Sequence, residues 1–108
     1  MKELSINYEE MEWSDARGYP TGTKIKVLRK EGESQTFLLK MAAGFDMEAH
    51  SHIATEQHFV LDGEYESSAK KYGRGSYRLI PARTNHGPFI SKFGATILVI
   101  WDLLEKSK

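Results

Sequence analysis

Short apolar runs separated by turn signals recur along the chain about every 8–12 residues, a spacing that suits an all-β sandwich or barrel. TKIKVLRK (23–30) alternates, with Lys24 and Lys26 facing one way and Ile25 and Val27 the other, as in a half-buried strand. TFLLKM (36–41) sets Phe37, Leu39 and Met41 on one face. Met47 to His52 reads as extended. His58 to Leu61 reads as a strand running into the hairpin signal Asp62-Gly63, with Glu64 to Ser67 as the strand that follows. Lys70 to Gly75 reads as a charged, glycine-containing turn, and Ser76 to Ile80 as a strand ended by Pro81. ATILVIW (95–101) is β-branched and apolar throughout, which predicts a strand buried on both faces. The polar, acidic segment up to Trp13 reads as a short strand or an arm, and SDARGYPTGT (14–23) as a loop broken by Gly18, Pro20 and Gly22. Only the tail, DLLEKSK, suggests a helical turn, and no amphipathic helix of three turns is present. The expected class is all-β, with about eight to ten short strands in a closed or double-sheet form such as a jelly roll.

Composition narrows the picture. A chain of 108 residues makes one domain, 1–108, with a single core. Fifteen basic and fifteen acidic side chains balance, so no excess charge is available to neutralise phosphates, and no nucleic-acid partner is expected. No apolar run approaches the roughly 20 residues of a membrane span, and no membrane partner is expected. The N-terminus, MKELSINYEEMEW, has no apolar signal region, which predicts a cytoplasmic address. The sequence has no cysteine, which removes disulfides, thiolate metal sites and cysteine nucleophiles together. A metal, if held, is held by nitrogen and oxygen.

The histidines supply the candidate chemistry. The chain has four, and three of them fall within GFDMEAHSHIATEQHFVLDG (44–63). His50 and His52 are two apart, so in an extended segment both imidazoles share a face. Glu56 follows four residues later, and His86 comes after Pro81 and a polar turn from a different strand. Such a nitrogen-and-oxygen set suits iron(II), manganese, nickel, copper or zinc. His58 points the same way as Glu56 by the period of two. It reads either as a satisfied inward histidine, or as a residue that orients the ligands, works as an acid or base, or replaces Glu56. Tyr65, Tyr77, Phe89 and Trp101 are candidates to line a pocket, and Arg83 and Lys40 to hold an anion. Gln57, Phe59 and Leu61 face away from the histidines and suggest a covered outer surface such as a dimer interface. There is no G-x-S-x-G, P-loop or dinucleotide fingerprint.

The spacing resembles the cupin superfamily. Its first motif is met at Gly44, His50, His52, Glu56 and Gly63, and its second, 75–90, at Gly75, Pro81 and His86, with Arg83 and Ile90 where the family has glycine and asparagine. YPTGTKIKVLRK, TFLLKMAAGFDMEAHSH, FVLDGEYE and GSYRLIPARTNHGPF are similar to RmlC-like single cupin domains of the ChrR-like type. These include a domain of certain anti-sigma factors and small acetylacetone-cleaving dioxygenases. The resemblance implies a jelly-roll barrel (a double-stranded β-helix), one divalent metal held by His50, His52, Glu56 and His86, and a homodimer. It implies an oxidoreductase, a metal-dependent dioxygenase acting on a small organic molecule, with iron(II) favoured over zinc, manganese or nickel; Glu56, and His58 through its place two residues on in the same strand rather than through the family, are the catalytic candidates. Two other readings stand beside it: a non-enzymatic zinc cupin serving as a small-ligand sensor or binding module, and a metal-dependent isomerase or lyase. No counterpart of the anti-sigma factors' sigma-binding domain lies within these residues, so a transcriptional role through it is not expected.

Overall fold

The computed structural model describes residues 2–51 and 53–102; of the tail expected to be helical, 102–108, Asp102 is in a strand, and 103–108 lie, with His52, outside the described residues. Among the described residues, nine strands follow a 3-10 turn at Tyr8–Glu10: β1 (Ser14–Asp15), β2 (Lys24–Glu31), β3 (Ser34–Met41), β4 (Phe45–Met47), β5 (Thr55–Ser67), β6 (Lys70–Gly73), β7 (Tyr77–Ile80), β8 (Phe89–Ser91) and β9 (Ala95–Asp102). All pair antiparallel. The order is β1-β2-β3-β9-β5-β8-β4, with β6 and β7 also on β5. The first half of β5 pairs with β7 and β9, and its last residues pair with β6 and β8. One long strand thus belongs to both sheets of an all-β barrel of jelly-roll form. Phe37, Leu39 and Met41 from β3, Val60 and Tyr65 from β5, Phe89 from β8, and Ile97 and Val99 from β9 fill the core between them. Among the described residues, no helix is long and apolar enough to cross a membrane.

The expected hairpin at Asp62-Gly63 does not form. β5 runs straight through it, with a register shift against β9 between Val60 and Asp62. This is a β-bulge, and its extra residue reverses the alternation of faces. Before it, Glu56, His58 and Val60 are buried; after it, Tyr65 and Ser67 are. Without the bulge, Glu64 and Glu66 would point into the core. The real hairpin lies at Ser68-Ala69, both at positive φ, and it turns the expected loop at Lys70–Gly73 into strand β6. Two smaller corrections concern faces. Only Ala95, Ile97 and Val99 of β9 are fully buried, while Thr96, Leu98 and Ile100 are half-buried. In β2, Lys26 is buried and Val27 is exposed, the reverse of the expected polarity. The Lys26 ammonium donates to the Tyr8 carbonyl at 2.8 Å and lies 4.6 Å from the Trp13 ring centroid, so the N-terminal segment covers that face.

Candidate functional site

Backbone pairing brings the two halves of the histidine set together. His50 N–H donates to the His86 carbonyl at 2.9 Å, and His86 N–H donates to the His50 carbonyl at 2.8 Å. Such a reciprocal pair sets two side chains on one face, and the imidazole centroids lie 4.6 Å apart. Gly87 permits the approach: a Cβ there would stand 2.8 Å from the Ala49 Cα. β5 supplies the opposite wall, with Glu56 and His58 both buried.

Hydrogen bonds fix how the two rings present themselves. Nδ1 of His50 lies 3.1 Å from the Glu48 carbonyl, and Nδ1 of His86 lies 3.0 Å from the Thr84 carbonyl. A carbonyl oxygen only accepts, so Nδ1 is the donor in each ring and a neutral ring keeps its lone pair on Nε2. That is how a metal-ligating histidine is usually held. Nε2 of His86 lies 3.6 Å from Glu56 Oε1. Two donors about 2.1 Å from one ion stand roughly 3.0–3.4 Å apart at octahedral and tetrahedral angles, so this separation is close to that of neighbouring ligands. Burial by itself would push the Glu56 carboxyl up, but the hydrogen bond from His58, with the His86 imidazole beside it, outweighs it and holds the carboxyl well below the ordinary carboxylate range. Glu56 is thus an anionic oxygen donor beside two nitrogen donors. Among the described residues no three such groups close on one point; His52, the remaining candidate, lies outside them.

A small cavity of about 10 Å³ adjoins these groups, lined by Tyr19, Leu39, Met41, Met47, His50, Glu56, His58, Phe89, Ile97 and Val99. That is about what one water molecule or ion needs. Its walls are mostly apolar. Phe89, expected as a pocket residue, touches three of the imidazoles, with ring centroids 5.6 Å from His50, 6.0 Å from His58 and 5.4 Å from His86. Tyr65 lies beside the site, hydrogen-bonded to His58. Tyr77 is exposed and packs on Phe59, and Trp101 sits edge-on against Phe37. Lys40 is exposed with its ammonium near Trp13. Arg83 adopts φ +61, which explains why the family places glycine at that position.

Sequence reasoning missed Tyr19 and Met47 as cavity walls. The available signal for Tyr19 was an aromatic residue inside an otherwise polar Gly/Pro loop, GYPTG. Burial, and then the charge of Glu56, pushes its phenol well above the ordinary range, so it stays protonated.

The family described as ChrR Cupin-like domain matches residues 1–102. No curated protein matches the sequence. Among solved structures, a putative acetylacetone dioxygenase from Methylibium petroleiphilum superposes with a TM-score of 0.84 at 16% identity, over 94% of this chain and 77% of that one. The polyketide cyclase RemF from Streptomyces resistomycificus gives 0.80 at 14% identity, over 99% and 89%. The anti-sigma factor ChrR from Rhodobacter sphaeroides, in complex with SigE, gives 0.72 at 23% identity; this chain covers 89% of itself and about half, 52%, of ChrR.

Proposed function

Because the chain belongs to the ChrR cupin-like family, we propose that it is a single-domain cupin holding one divalent metal ion through His50, His52, Glu56 and His86, and that it is a metal-dependent dioxygenase of a small organic molecule. The observation that carries the reading is the pair of Nδ1–carbonyl hydrogen bonds, which leave Nε2 of His50 and His86 as the nitrogens with lone pairs beside an ionised Glu56. An iron(II) ion bound there supplies Lewis acidity and one-electron chemistry. The rest is work for the chain's own side chains. Leu39, Met41, Met47, Phe89, Ile97 and Val99 exclude water from the cavity, and Glu56 offsets the positive charge of the ion. Tyr19 adds a wall residue whose phenol burial keeps protonated. Similarity to the dioxygenase and cyclase structures supports a small-molecule reaction through the fold alone.

The small cavity supports a second reading, a closed zinc site in a non-enzymatic sensor or binding module. Metal content of untagged protein separates the two. The dioxygenase reading expects about one iron per chain, with oxygen uptake on adding a small diketone. Tightly held zinc and no oxygen uptake would replace it with the binding module.

The family's dimeric habit finds support on the outer face of β5 and β7. Phe59, Leu61, Tyr77 and Leu79 are exposed there, and the Phe59 and Tyr77 rings pack tilted with centroids 4.8 Å apart. Contiguous exposed apolar surface of this kind marks interaction sites. Sedimentation is expected to give a dimer for the natural chain and a folded monomer for Leu79→Asp. A Leu79→Asp dimer would remove this face from the interface.

A further inference from the structure

A second buried hydrogen-bond chain runs behind Glu56, and its direction can be read atom by atom. His58 Nε2 lies 2.5 Å from Glu56 Oε2, and His58 Nδ1 lies 2.7 Å from the Tyr65 hydroxyl. The Arg78 guanidinium reaches that hydroxyl at 3.5 Å and lies over the Tyr72 ring, which stacks on Tyr65. Arginine only donates, so the Tyr65 oxygen accepts from Arg78; an ionised carboxylate only accepts, so at the Glu56 contact His58 Nε2 is the donor, and the Nδ1 of the neutral ring takes the Tyr65 hydroxyl hydrogen. Nδ1 is then the acceptor, and the ring proton sits on Nε2, where it is donated to Glu56. This tautomer is opposite to that of His50 and His86, whose Nδ1 atoms are the donors.

We propose that Tyr65 and His58 are positioning residues that make Glu56 a one-oxygen donor, with Oε2 held by His58 and Oε1 alone presented to the ion. This rests on the metal reading above. It follows that His58 is not a substitute ligand: the nitrogen it turns towards Glu56 carries a proton, and its lone pair is used by Tyr65. It also follows that the carboxylate does not chelate, which keeps one more position at the ion for an incoming molecule. Oε1 is the oxygen that faces His86 Nε2, at 3.6 Å. The β5 bulge is what makes the arrangement available. Without its reversal of faces, Tyr65 would point away from His58.

The test uses cobalt(II) as probe, with affinity from competition titration and visible absorption as the coordination readout. Tyr65→Phe keeps the ring and loses the hydroxyl. It is expected to weaken cobalt binding about 10- to 100-fold, the usual range for a partner of a metal ligand, and to change the d–d bands as the released carboxylate alters the coordination. His58→Gln keeps an N–H for Glu56 and an acceptor for Tyr65, and is expected to restore both readouts to near the natural protein. His58→Leu supplies neither and is expected to behave like Tyr65→Phe. Far-UV circular dichroism on each variant separates a lost fold from a lost hydrogen bond. Natural affinity and spectrum in Tyr65→Phe, or equal damage in the Gln and Leu variants, would overturn the positioning role while leaving the metal reading intact. No cobalt binding by the natural chain would sink both.

Discussion

Replacing His86 with alanine is expected to lower divalent-metal affinity by about two to three orders of magnitude and leave the barrel folded. The size follows from sharing the binding energy. A four-ligand site holds zinc with an apparent 10–16 kcal/mol, so one nitrogen contributes about 2.5–4 kcal/mol, and each 1.4 kcal/mol is tenfold. The fold is expected to survive because the reciprocal His50–His86 bonds are made by backbone N–H and C=O, which alanine retains. The lost imidazole is buried but is not among the apolar core residues. Thermal unfolding gives a second readout. Ligand binding raises stability by mass action, so a chelator is expected to lower the Tm of the natural protein and to have little effect on His86→Ala. Natural affinity in the variant would remove His86 from the ligand set. A loss of only about 10-fold would place it among the supporting residues, in the range expected for Tyr65→Phe.

The parts of this site that were legible in the sequence are those fixed by local spacing. His50, Glu56 and His86 stand at motif intervals, and alternation alone turned Glu56 and His58 the same way in β5. The strands β2, β3, β7 and β9 followed from apolar runs and breakers, and the matching fold from the two motifs. What was not legible depends on partners distant in sequence. Asp62-Gly63 has the composition of a tight hairpin, yet a residue pair that favours positive φ also suits a bulge. Only the uninterrupted pairing of β5 with β9 decides between them. Tyr65 gave no sign of touching His58, because that contact needs the bulge to reverse the faces. Lys26 reads as an exposed strand lysine until Tyr8 and Trp13 fold over it. Tyr19 reads as loop until the loop is seen to close on the cavity.

The same bulge makes Gly63 the position where the backbone, not the chemistry, sets the motif. Gly63→Ala is expected to cost about 4 kcal/mol or more, a loss reserved for a few mechanisms. Two of them act together here. φ is +74, a conformation that costs an L side chain about 1–2 kcal/mol. A Cβ would also stand 2.3 Å from the Gly94 carbonyl oxygen and 2.8 Å from the Ala95 Cα, which are backbone atoms that cannot rotate away. Gly18→Ala is the matched control: φ is +82, but nothing lies within 4 Å of its Cβ, so only the conformational term of about 1–2 kcal/mol is expected. Urea unfolding followed by tryptophan fluorescence measures both. Against a typical domain stability of about 5–15 kcal/mol, the first loss leaves a marginal fold and the second a secure one. Equal losses would mean that β9 yields at Gly94 and that the close approach is not rigid. The consequence reaches the site as well. If the clash is relieved by shifting the bulge, Tyr65 withdraws from His58, and the cobalt(II) spectrum of folded Gly63→Ala protein is expected to match that of Tyr65→Phe. The natural spectrum in a destabilised Gly63→Ala would show that the strain is absorbed on the β9 side and that the hydrogen-bond chain behind Glu56 is held independently of the bulge.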